Sequence, residues 1–151
     1  MTTQERIDAV REAFPTVKRL CDTRNATNEA VIKALLGDKY KPNGLNLISF
    51  AVMDEFERTN HPAVTANKKA HKDIEDYLRT LPETVASAML IIMYIGREND
   101  CLAKIDPYRY FEIYEKNLDK NVFDFTVENL KTKSPCLAIY LQTGLQLLLG
   151  N

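Results

Sequence analysis

The sequence predicts an all-α fold, a compact multi-helix orthogonal bundle built around a hydrophobic helix near residues 82–95. Three observations carry this. Apolar residues recur at three- and four-residue spacing along most of the chain. Residues 88–95 are apolar on nearly every side, as a helix enclosed by others must be. Asp106–Pro107 and Ser134–Pro135 each combine a capping side chain with a proline suited to a first helical turn.

Taken in order, residues 5–20 place Ile7, Val10, Phe14 and Val17 on one helical side. Pro15 removes an amide donor, so two short helical pieces are expected there. The polar run DTRNATNE reads as a break, and a second helix from Ala26 carries Val31, Leu35 and Leu36 to Gly37. KYKPNG is a loop punctuated by Pro42 and Gly44. Residues 45–57 form the next helical pattern, with Leu45, Ile48, Val52 and Phe56 along one side. Leu47, Phe50 and Met53 widen that face, which predicts contacts on more than one side.

Residues 66–81 read as an amphipathic helix burying Ala70, Ile74, Tyr77, Leu78 and Leu81. Its outer face sets Lys69 before Asp73, Lys72 before Asp76 and Glu75 before Arg79, the pattern of a solvated surface. Pro82 opens the central helix, and Gly96 is expected to leave it in a left-handed conformation. After the loop GRENDCLAKI, Tyr110, Phe111, Tyr114 and Leu118 supply an aromatic side. Val122, Phe123, Phe125 and Val127 form a shorter helix. A last helix aligns Leu137, Leu141, Leu145 and Leu148 before Gly150.

The 151 residues suit a single domain, and 45% hydrophobic against 27% charged residues is an ordinary globular balance. Twenty Lys and Arg against 21 Asp and Glu leave a net charge of -1, which gives no long-range pull on a polyanion. Nucleic acid is therefore disfavoured, and would need Lys39, Lys41, Lys68, Lys69 and Lys72 to cluster. The three cysteines, Cys21, Cys101 and Cys136, form no CxxC pair, and the charged N-terminus carries no apolar leader core. A cytoplasmic protein that does not enter the membrane is expected.

Nucleotide-binding glycine loops, a GxSxG elbow and HExxH are absent from the sequence. His71 and Glu75 share a helix face but no further ligand accompanies them, and no Glu-x-x-His occurs. No metal or cofactor is expected. Tyr108, Tyr110, Phe111 and Tyr114 at helical spacing read as core and interface rather than a stacking platform. The best polar constellation follows the central helix. There Arg97, with a five-donor fork, and Asp100 are candidate anion-binding residues, with Tyr94 and Cys101 as neighbours. The structural reading of the same residues has Arg97 bridging loop acceptors and Asp100 capping or pairing with it.

The stretch LRTLPETVASAMLIIMYIGREND resembles the helix-then-Gly-Arg-Gly-Asp signature of a bacterial family, domain of unknown function 3775. SPCLAIYLQTGLQLLLG resembles that family's closing helix, and together the resemblance spans roughly residues 68–150. Gly96 and Arg97 match the Gly-Arg, Asp100 takes the acidic position, and Glu98–Asn99 stand where the family has one Gly. Tyr140, Leu141, Gly144 and Leu145 match the closing helix. The resemblance implies a small helical bacterial protein and brings no activity. Function is thus expected to be noncatalytic protein interaction or self-association, the alternative being a small enzyme or anionic-ligand-binding domain at the Arg97 loop.

Overall fold

A computed structural model describes residues 1–98, 106–117 and 123–150. Asp100, Cys101, Leu118 and Val122 lie outside these described residues. Those that are described form seven α-helices: α1 (Thr3–Leu36), α2 (Phe50–Glu57), α3 (Pro62–Thr80), α4 (Glu83–Arg97), α5 (Pro107–Asn117), α6 (Phe123–Thr132) and α7 (Leu137–Leu149). The expected all-α bundle is therefore found.

At its start α1 carries a reciprocal cap. The Thr2 hydroxyl accepts from the Glu5 amide at 3.1 Å, and the Thr2 amide donates to the Glu5 carboxylate at 2.7 Å. The helix then runs unbroken through both expected interruptions, about 50 Å at 1.5 Å per residue. Pro15 and Arg11, whose carbonyl loses its amide partner to the proline, are both exposed. Across the polar run the hydroxyls of Thr23 and Thr27 donate to the helix's own carbonyls, each at 3.0 Å. On the opposite side Ile7, Val10, Ala13, Val17, Cys21 and Val31 are buried. Within the polar run Arg24 and Thr27 stay half-buried, with Thr27 3.0 Å from the Asn67 side chain of α3, and packing on both sides of the run outweighs the two unfavourable local signals. Gly37 ends the helix with φ 55°, as its position predicts.

The 45–57 segment departs further from expectation. Ser49 accepts from the Val52 amide at 3.3 Å, so the helix begins only at Phe50 and leaves Leu45 and Leu47 outside it. No residue of α2 is buried. The predicted contacts on several sides are not made.

The strongly amphipathic α3 lays Val64, Asn67, Ala70, Ile74 and Leu78 inward, much as its periodicity predicts. Its outer pairs form as expected, with Lys69–Asp73 at 2.7 Å and Lys72–Asp76 at 3.3 Å. Pro82 stands one position before α4, which buries ten of its 15 residues. That helix packs most extensively against α7 and also against α1, α5 and α6, so it is the centre of the bundle.

Gly96 does not leave α4 in a left-handed turn; it lies inside the helix and is buried. A Cβ there would stand 1.8 Å from the Tyr140 carbonyl oxygen of α7, and one on Gly144 would stand 2.2 Å from the Ile92 carbonyl oxygen. The two glycines lie one on each helix and let the backbones of α4 and α7 touch. Asp106 caps as predicted, its carboxylate accepting from the Tyr108 amide at 3.2 Å. Ser134 does not cap α7. It is buried in the preceding turn, and the helix begins after Cys136 without a side-chain cap.

Candidate functional site

The C-terminal end of α4 and the facing side of α5 assemble the sequence's best polar constellation. Arg97 donates to the Glu98 carboxylate at 2.9 Å and lies 4.5 Å from the centre of the Tyr94 ring. The second Glu98 oxygen accepts from the Tyr110 hydroxyl at 2.5 Å. Tyr114 completes the group, its ring 5.3 Å from Tyr94 and 5.2 Å from Tyr110. Tyr94 and Arg97 thus come together as expected, with Glu98, a residue the sequence reading passed over, as an acidic partner, while the expected Asp100 and Cys101 lie outside the described residues. A carboxylate beside an arginine in a loop gives no sign of which neighbour will pair. Tyr110, thirteen residues away from Arg97 in the chain, holds Glu98 from the other side.

The electrostatics follow from these contacts. Hydrogen bonds from Tyr110 and then Arg97 hold the Glu98 carboxyl below its ordinary range. Burial and the neighbouring carboxylate push the Tyr110 hydroxyl up, and burial likewise raises Tyr114. Arg97 is raised by its bond to Glu98. Charges are therefore locked in their usual states, and the arrangement ties the end of α4 to α5. The guanidinium is one-third exposed, with one carboxylate and one ring already engaged. The aromatic residues of α5 serve the core and this junction, with Phe111 fully buried.

A second polar group surrounds His71 on α3. Its Nε2 is buried without a hydrogen-bond partner, and so is the Nε of Arg24 on α1. His71 is half-buried rather than solvent-exposed as its charged helix face suggests. Burial first, and the cations Arg24 and Lys131 next, push its pKa below 6.5, while Glu57 opposes them. Folding thus favours the neutral ring. Stability from this group is fully present above pH 6.5 and falls as the pH drops toward the lowered value, because the unfolded chain then binds the proton more readily. His71→Asn is expected to flatten this part of the stability profile, followed by urea unfolding in steps from pH 7.5 downward. A slope unchanged in the variant would show that another group titrates there.

Among the described residues, no three His, Cys, Asp or Glu side chains converge in a way that could hold a metal. Cys21 is buried, and burial raises its thiol to about 11. Two features escaped sequence reasoning altogether. One is a cavity of about 260 Å³ between α1, α4 and α5, beside an ion pair of Arg6 with Glu115 at 2.5 Å. The other is the exposed apolar arm before and within α2, where Leu45 is 75% exposed, Leu47 80%, Phe50 96% and Val52 49%. Periodicity marks such residues as apolar but cannot report that nothing covers them.

Comparison with family models, with curated proteins and with solved structures found no match. No single helix among the described residues is long and apolar enough to cross a membrane. The helices α3 and α4 satisfy that test only as a pair, bent by 119°.

Proposed function

We propose that this chain is a noncatalytic self-association domain and that residues 45–56 are its contact element. The exposed arm is the observation that carries this reading. Leu45, Leu47, Phe50 and Val52 follow one another closely, and large side chains this exposed favour burial by about 1.5–3 kcal/mol each when covered. Beside them runs a groove of about 300 Å³ where Leu35, Leu36, Ile48 and the arm's own Leu47 and Val52 are joined by Lys39 and Ser49. A projecting Phe50 and a groove with aliphatic walls close by suit a two-fold dimer, in which each copy offers the patch that the other fills. A net charge of -1 leaves little repulsion between copies.

Sedimentation velocity over a concentration series provides the test. The wild type is expected to shift from monomer to dimer by high micromolar concentration. Leu47→Asp together with Phe50→Asp is expected to remain monomeric with an unchanged helical circular dichroism spectrum, since both positions are exposed. A wild type that stays strictly monomeric overturns self-association, and a double variant that still dimerises overturns the arm as its contact.

A further inference from the structure

Charge is distributed unevenly around the arm. After α1, residues Gly37–Lys39 make a short turn closed by the Tyr40 amide, which donates to the Gly37 carbonyl at 3.1 Å. Asn46 pins the loop that follows, accepting from the Lys41 amide at 2.8 Å and donating to the Lys41 carbonyl at 2.9 Å. The Glu29 carboxylate accepts from the Tyr40 hydroxyl, and Lys33 lies over the Tyr40 ring at 5.2 Å. Lys39 and Lys41 stay exposed and make no ion pair among the described residues. Asp38 beside them offsets one of these two charges. Lys39 stands in the wall of the groove, next to Leu35, Leu36 and Ile48.

The helix α2 carries the opposite sign, with Asp54, Glu55 and Glu57 and no basic residue within its bounds. Val52 turns one side of it to the groove, while Phe50 and Asp54 are exposed on the other. Asp54 follows Phe50 by one helical turn, about 6 Å along the same side. Arg58 engages only Oδ2 of Asp54, at 2.9 Å.

Resting on the self-association reading, we infer that Asp54 of each copy pairs with Lys39 of the other, and that this pair selects a second copy of the chain and fixes its register. A Phe50 that enters the groove of the other copy comes beside Lys39 on the groove wall. Asp54, one turn along, then meets the rim within reach of the lysine's flexible stem. The two-fold axis makes the pair twice. Hydrocarbon alone adheres to many surfaces, whereas opposite charges placed at its edge discriminate between partners more than they add affinity.

Sedimentation velocity of the full chain at about 50 mM salt, where exposed charges are weakly screened, provides the test. Lys39→Glu and Asp54→Lys are made separately. Both positions are exposed, so each variant is expected to keep the wild-type circular dichroism spectrum. Alone, each is expected to dimerise at least about tenfold more weakly, because like charges then meet twice. Mixed in equal amounts, the two are expected to recover the wild-type Kd to within about threefold, since both pairs again join opposite charges. Mixing cannot repair a distortion inside one chain. Variants that dimerise like the wild type overturn the pair, as do weakened variants that mixing fails to restore, and both results leave the arm as the contact. A wild type that stays monomeric overturns the pair together with self-association, so the two failures are told apart.

Discussion

Ile92→Asp is expected to abolish cooperative folding. Ile92 is fully buried in the middle of α4, a helix that packs against α1, α5, α6 and α7. An aspartate there would place a carboxylate among hydrocarbon with no cation built to meet it. The carboxyl must then either lose its hydration or take up a proton, and both are unfavourable. Lost packing adds to this, and the sum is expected to reach about 4 kcal/mol or more, most of a domain's total of about 5–15. Lys72→Ala is the matched surface change. Its side chain is 72% exposed and its partner Asp76 lies 3.3 Å away, so the loss should stay under about 0.5 kcal/mol. Circular dichroism and urea unfolding compare the two. An aspartate variant with the wild-type midpoint would mean that α4 is not the centre of the core.

Gly96→Ala carries the second large effect, and here the sign alone is informative. Helix propensity favours alanine over glycine in a helix interior by about 1 kcal/mol, so a Gly96 that served only its own helix would be improved by the change. The crossing predicts the opposite. The new methyl would start 1.8 Å from the Tyr140 carbonyl oxygen, and a backbone atom cannot rotate out of the way as a side chain does. The helices α4 and α7 must separate, which opens the most extensive contact in the bundle. A net loss of about 3 kcal/mol or more is expected, the upper end for overpacking. Chemical unfolding that shows the alanine variant to be as stable as the wild type would remove Gly96 from the crossing.

These two sites divide what local pattern reveals from what it does not. The all-round apolar character of α4 made its central place legible, because such a helix is stable only when enclosed. The inward stripe of α3 and the start of α5 at Asp106–Pro107 were equally legible, since spacing and capping act within a few residues. Gly96 was read as a helix exit because glycine near the end of an apolar run most often serves that purpose. Its actual service depends on Tyr140, 44 residues away, which no local pattern contains.

The same division holds at the candidate sites. Arg97 and Tyr94 were picked out by chemistry and lie together, while the contact of Glu98 with Tyr110 depends on the approach of α5, which no local pattern contains. The cavity beside Arg6 draws its walls from three helices far apart in the chain, so no spacing could announce it.

By itself, the sequence determined the helical class, the central helix and the solvated face of α3, because periodicity and capping are short-range physics. Tertiary structure alone decided that α1 continues unbroken through Pro15, that the 45–56 arm stays uncovered and that α4 meets α7 at two glycines. Each of those outcomes is a balance between a local preference and the burial available when distant segments come together. That balance cannot be read until the chain has folded.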